Sequence, residues 1–493
     1  MLINNKVDGG LIQIESGKIT GASTGTNNSI SVYKGIPYAA PPVGNLRWCP
    51  PEPAIPWEGI RSASEYGPAA MQNPSNFGGV KDNDWRSEDC LYLNIWTPAA
   101  SSEENLPVMV WIHGGGFTMG AGSSPDYIGT PLAEKGVVLV TINYRINFFG
   151  AFCHPWLTRE AKNHASGNYC LMDQIAALQW VQRNIRLFGG NPDRVTVFGE
   201  SAGSRSVALL TASPLAKGLF HGGVCQSGAL RDVSQPLEER EKEGLKTAQI
   251  LGAKSLDDLR AASYESLLST GALNANPMVD GWVIPEDPRT IYSQGRQHDI
   301  PLIIGTNKDE MTLLQMTIPK EKRTMDGFKQ MIWKRYGENA PAIYAMYKPE
   351  TEEGVAEAMN RYATDCEMIL PARRQARWME KMTANSYLYH FTRIPPTKAG
   401  EFLGSHHGGE IPYIFGRIGP KWGNVSGIDN KLSHAFMIYW THFAKFGDPN
   451  GGELPQWPVY TKENDIHMNF GDEIKPDNNL RKDYLDSLEP FVD

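Results

Sequence analysis

Cysteine is scarce in this chain. Six occur in 493 residues (Cys49, Cys90, Cys153, Cys170, Cys225 and Cys366), with no CxxC pair and no Cys/His spacing of the kind that binds zinc. A disulfide-stapled scaffold and a zinc module are therefore excluded, and buried free thiols are the expected state. Long apolar runs are missing too. No stretch reaches the ~18 residues of a transmembrane helix, so no membrane span is expected. The opening MLINNKVDGGLIQ has no apolar h-region, so no secretory signal is expected within it, and the compartment stays open. Basic clusters are also absent. The 47 Lys and Arg are scattered among 55 Asp and Glu, for a net charge of −8, which argues against a nucleic-acid partner. No repeat, low-complexity tract or linker-like shift divides the chain, so a single domain over 1–493 is expected.

What the chain does contain is an ordinary globular composition, 41% hydrophobic and 21% charged, enough to bury a sizeable core. Short runs rich in Val, Ile and aromatics recur at 106–113, 136–145, 194–199, 299–307 and 386–391, each bounded by Gly, Pro, Asn or Asp. These read as buried strands. Between them, DQIAALQWVQRNIRLFG places Ile175, Leu178, Val181 and Ile185 every three or four residues, as one face of a helix requires. Alternating strands and helices predict an α/β fold: a mostly parallel sheet flanked by helices, with ligands at the carboxyl ends of the strands. The polar stretches at about 232–298 and 318–385 carry helix-like pieces such as EEREKEGLKTAQILG and read as helical insertions that wall a pocket.

One strand ends in a motif. Gly199-Glu200-Ser201-Ala202-Gly203 fits G-x-S-x-G, in which a serine sits on a strained strand-to-helix turn and the glycines remove side chains that would collide there. The five residues alone are weak evidence. Their setting, with VTVF before and a helix-compatible SRSVALLTAS after, is the context the motif requires.

A serine hydroxyl needs a base within reach and donors aimed at the developing oxyanion. WIHGGGF at 111–117 follows a buried strand with three glycines whose N–H groups are uncovered, so Gly115 and Gly116, with the N–H of Ala202, are the expected oxyanion donors. In the chain order Ser, acid, His, the base lies beyond Ser201. GSHHGGE at 404–410 offers His406 or His407, and IIGTNKDE offers Asp309 or Glu310 just past a strand.

At this point the chain resembles the type-B carboxylesterases, the family of para-nitrobenzyl esterases, mammalian carboxylesterases and cholinesterases. The likeness runs through YKGIPYAAPPVGNLRW (33–48), SEDCLYLNIW (87–96), HGGGF, NYR (143–145), GESAG, QSG (226–228), NKDE, HHGGEIPYIFG and FAKFGDPN, in that order. The resemblance implies an α/β-hydrolase fold and a serine carboxylic-ester hydrolase acting on small to medium esters through an acyl-enzyme, with no metal or cofactor. It selects Ser201, Glu310 and His407 as the triad. It implies that Ser227 helps hold the acid and that Glu200 shapes the site electrostatically. An amidase or thioesterase on the same triad is the alternative, and a non-catalytic cholinesterase-like binding protein a remote one. The partner is a small-molecule ester, and the assembly a monomer or small homo-oligomer.

Several residues depart from the family pattern or fall outside it. Cys90 matches a cysteine that closes a loop in relatives, but its partner position is held by Ala70, so no disulfide is expected there. The choline-binding tryptophan would fall near Val80, with Trp85 the closest candidate, which argues against a cholinesterase. Arg205 stands where relatives carry a small residue. It reads as an ion-paired brace of the helix or as a substrate contact that favours anionic esters. Asp309 reads as a solvated loop charge. Met311, Met316, Trp333 and Tyr336 fit either an apolar pocket wall or plain core.

Overall fold

The computed structural model describes residues 9–75, 79–80, 85–230, 235–271, 273–315, 318–420 and 422–492. The chain divides into two compact units, one of Met1–Val224, Val233–His298 and Thr441–Asp448, the other of Cys225–Asp232, Asp299–Trp440 and Pro449–Asp493.

The first unit is built on strands β1 (Ala22–Thr24), β2 (Ile30–Pro37), β3 (Tyr92–Thr97), β4 (Leu106–Ile112), β5 (Val138–Ile142) and β6 (Gly190–Glu200), in the order β6-β4-β5-β3-β2-β1. β4 pairs in parallel with both β5 and β6. β3, β2 and β1 continue the sheet antiparallel. The parallel strands are those expected from sequence, because a strand covered on both faces must be apolar throughout: Val108, Met109, Val110, Trp111 and Ile112 are all fully buried. The antiparallel half carries a weaker pattern. β2 is broken by Gly35 at φ 62° and by a register shift between Tyr33 and Ile36, so its apolar residues do not alternate cleanly.

Helix α1 (Tyr169–Asn184) covers this sheet with Leu171, Ile175, Leu178 and Val181 facing inward, as the spacing predicts. Its start is anchored by charge. The main-chain N–H of Arg145 and the Nε of its guanidinium donate to Asp173 Oδ2 at 2.9 and 2.8 Å, and Nη2 donates to Oδ1 at 2.7 Å, all buried. Helix α2 (Ala202–Ala212) is buried along its whole length, and α3 (Leu237–Leu251) lies in the 232–298 stretch that sequence reads as helical.

The second unit carries β7 (Leu302–Asn307), β8 (Ser386–Phe391), β9 (Ile466–Phe470) and β10 (Ile474–Asn478). The first three are parallel, with β10 antiparallel to β9. Its helices include α4 (Met325–Tyr336), α5 (Val355–Thr364), α6 (Leu370–Met379) and α7 (Lys482–Leu488). Tyr336 belongs to the core here, among Phe328, Tyr347 and Tyr362, with the Tyr362 hydroxyl donating to Tyr336 Oη at 3.0 Å. Trp333 is exposed, and Met316 lies outside the described residues. No helix among the described residues is long and apolar enough to cross a membrane. All six cysteines are free thiols, Cys90 buried beside a chain in which Ala70 is also buried.

Candidate active site

In the first unit, two strands end side by side. Gly199 on β6 stands opposite Ile112 on β4, so the chain leaving β6 at Ser201 and the chain leaving β4 at His113 emerge together at the carboxyl edge. Ser201 turns the strand into α2 with φ 56° and ψ −119°. For a residue with a Cβ this is a sparsely populated conformation that costs about 1–3 kcal/mol, and the surrounding structure must impose it. It does so by close contact. A Cβ on Gly203 would lie 1.9 Å from Ile112 O, and one on Gly199 2.7 Å from that same oxygen. Only glycine at both positions lets the corner approach β4 so closely.

The glycine loop uses the same freedom. Gly115 and Gly116 have φ of 101° and 63°, a region that glycine alone adopts readily, and a Cβ on Gly115 would lie 2.2 Å from Met119 O. Their N–H groups have no acceptor among the described residues. Ala202 is the first residue of α2, so its N–H is one of those a helix leaves without an internal partner. The loop is held from behind by residues the sequence did not single out. Gln72 Nε2 donates to Gly120 O, and Gly120 N–H donates to Gln72 Oε1, both at 2.9 Å. The Tyr144 hydroxyl donates to His113 O at 2.7 Å and its ring stacks on His113 with centroids 4.3 Å apart. Burial pushes the His113 imidazole down to about 4, so it is neutral, and its Nδ1 lies 2.8 Å from Gly114 O.

Glu200 is buried against this loop, where a Cβ on Gly114 would lie 2.7 Å from its Oε2. Arg205 sits one turn into α2, and its N–H closes on Ser201 O at 2.9 Å. Its guanidinium is buried, and Nη1 donates to Asn276 Oδ1 at 2.9 Å.

In the second unit, β7 delivers the acid. Glu310 is fully buried three residues past its end; Oε1 accepts from the Asn307 N–H at 2.7 Å, and Oε2 lies 2.6 Å from His407 Nδ1. Asn307 also reaches behind the histidine, donating from Nδ2 to His406 O at 2.8 Å and to Glu410 Oε2 at 2.6 Å. Burial, and then the neighbouring Glu310 charge, push the Glu410 carboxyl up to about 7. His406 turns away from the acid, its Nδ1 2.9 Å from His407 O.

Two expectations are revised here. Asp309 is not a solvated loop charge. It is half-buried, bridges to His406 in parallel, donates its N–H to Ser405 O at 3.0 Å, and accepts from the Ser405 N–H and from Asn360 Nδ2, each at 3.0 Å. It thereby pins the loop that carries His407. Ser227 holds no part of Glu310 through its hydroxyl, which is buried without a hydrogen-bond partner among the described residues; its N–H donates instead to Gly305 O on β7 at 2.9 Å.

The sequence model of the Carboxylesterase family matches residues 8–487. The chain belongs to the carboxylesterase family. It is 36% identical over 475 residues to the fumonisin B1 esterase of Sphingopyxis macrogoltabida, covering 92% of this chain and 86% of that one. It is 35% identical over 511 residues to the para-nitrobenzyl esterase of Bacillus subtilis, covering 97% and 98%. A solved structure of a PNB esterase superposes with a TM-score of 0.82 at 34% identity, covering 97% of this chain and all of the other. The fold is accordingly the α/β-hydrolase fold expected from sequence, and this carboxylesterase hydrolyses carboxylic esters.

Proposed function

We propose that the reaction runs on a Ser201–His407–Glu310 triad through an acyl-enzyme, on small to medium carboxylic esters. Ser201 Oγ attacks the ester carbonyl while His407 Nε2 takes its proton, and the oxyanion forms against the N–H groups of Gly115, Gly116 and Ala202. The imidazolium returns that proton to the departing alcohol. Water, deprotonated by the same nitrogen, then attacks the acyl-enzyme, releasing the acid and restoring Ser201. Residues 1–493 act as one catalytic domain in this reading, with the helices of 232–298 and 318–385 walling the pocket.

The observation that carries the reading is the 2.6 Å contact of His407 Nδ1 with buried Glu310. A neutral imidazole that donates from Nδ1 leaves Nε2 as the acceptor a general base needs, and the carboxylate steadies the imidazolium once it forms. The strained corner at Ser201 supports the nucleophile's assignment. The test is hydrolysis of p-nitrophenyl esters from C2 to C12 by the native protein and by Ser201→Ala. Turnover should fall on the order of 10⁶-fold in the variant, and the chain-length optimum measures the acyl pocket. Equal rates in both proteins would show the nucleophile to be misassigned. A matched amide and thioester alongside the preferred ester decide between esterase and the alternatives on the same triad.

A further inference from the structure

The second unit also holds a cleft of about 520 Å³ that no step above uses, lined by Lys308, Arg361, Arg481, His390, Asp309 and Asp365 among others. Lys308 directly follows β7, and Thr392, also in the lining, directly follows β8, so the cleft opens at the carboxyl ends of two parallel strands. Open α/β sheets place ligands there.

The cleft's lining carries three cations, Lys308, Arg361 and Arg481, and three carboxylates, Asp309, Glu357 and Asp365; Arg361 lies in the field of Asp365, and the charges differ in how far they are hydrogen-bonded. Asp365 is engaged by Arg481, whose Nε and Nη2 donate at 2.6 and 2.7 Å, and by the Tyr347 hydroxyl at 2.6 Å. Asp309 is engaged by Asn360 and Ser405, as described above. The Lys308 ammonium and the Arg361 guanidinium have no hydrogen bond or ion pair among the described residues, and Arg361 Nε is buried from water. Glu357, one turn earlier on α5, is exposed and makes no ion pair with Arg361.

A half-buried guanidinium without an acceptor is costly, and an oxyanion supplies what it lacks. Burial above all pushes the neighbouring His390 imidazole down to about 3, with His467, Arg481 and Lys308 adding to the shift.

We propose that this cleft binds a small oxyanion, with the planar fork of Arg361 taking two of its oxygens and Lys308 supplying a second charge. Arg481 contributes to the positive field while its own hydrogen bonds stay on Asp365. Inorganic phosphate and the carboxylate released by ester hydrolysis share this chemistry, and both fit the cleft's volume. None of Ser201, Glu310 and His407 lines the cleft, and it meets their surroundings at Asp309, which pins the His407 loop.

The test is isothermal titration of the intact protein at low ionic strength, with inorganic phosphate and with butyrate separately. Saturable one-site binding of at least one ion is expected, weakened roughly tenfold or more in Arg361→Gln and in Lys308→Gln. Tighter phosphate would identify the free phosphate pool as the source, and tighter butyrate the hydrolysis product. Absence of saturable heat with both ions up to about 10 mM overturns the proposal, as do affinities equal in native protein and both variants. A butyrate signal untouched by either substitution belongs to another site and counts against it. Melting curves check the fold of each variant, and Lys308→Gln, at an exposed position, carries the test alone if Arg361→Gln does not fold.

Discussion

Gly203→Ala tests how the nucleophile's corner is built. The added methyl would sit 1.9 Å from Ile112 O and 2.9 Å from His113 O, where real contacts stop near 3.0 Å. Relief of the first contact needs a shift of about 1.1 Å, the difference between 3.0 and 1.9 Å, and the obstacle is main chain, not a rotatable side chain. β4 cannot yield easily, because it is hydrogen-bonded in parallel on both sides, to β5 and to β6. The movement therefore falls on the start of α2, which carries Ala202 and follows Ser201 directly. Overpacking of this kind destabilises by about 1–3 kcal/mol or more. Displacement of reacting groups by about 1 Å costs on the order of 10² in rate. The expected result is a kcat/KM on p-nitrophenyl butyrate at least about a hundredfold below native, with a lowered melting temperature. Gly419→Ala is the control, since no heavy atom lies within 4 Å of its Cβ position and its φ is not positive; it should match the native protein in both measurements. Native kcat/KM and melting temperature in Gly203→Ala would refute the account of the corner.

Three further outcomes follow from the same structure. Asp173→Asn leaves the buried Arg145 guanidinium without its carboxylate and should destabilise by about 3–5 kcal/mol in urea unfolding, whereas Glu15→Gln, which breaks the exposed pair with Arg183, should change stability by about 1 kcal/mol or less. Asp309→Asn turns an Nδ2 or loses an acceptor toward the Ser405 N–H or Asn360, and should lower kcat on p-nitrophenyl esters several-fold with little change in KM; an unchanged kcat would show that the loop holds His407 without it. Glu410, whose carboxyl is raised to about 7 from an ordinary 4.5, favours the folded state most when protonated, so its contribution is full below pH ~4.5 and is lost as pH rises through about 7. Glu410→Gln should therefore flatten the decline in melting temperature across that window, and an unaltered profile would place the titration elsewhere.

Ser201 and the 113–117 glycine loop were legible in the amino-acid order because their chemistry is local: a turn that needs positive φ or close approach can be read from the glycines that permit it. The five buried strands expected from sequence were legible because burial on both faces demands continuous apolar residues. The antiparallel strands β1 to β3 were not, since a bulge at Gly35 breaks the alternation that would have marked β2. Family likeness narrowed His406 or His407 to one residue, and Asp309 or Glu310 to one, where spacing left both open. It could not show what the remaining member of each pair does. Asp309 reaches across 96 residues to Ser405, and Asn307 across 103 to Glu410. Gln72 meets Gly120 across 48. Hydrogen bonds at such separations leave no periodicity in the chain, because they depend on which strand ends the folded sheet brings together. Composition, the serine corner and the glycine loop thus belonged to the sequence, through rules that act within a few residues. The bracing of the acid and histidine loops, and the lack of hydrogen-bond partners for the Lys308 and Arg361 side chains among the described residues, came only with the tertiary structure, through contacts that act over the whole fold.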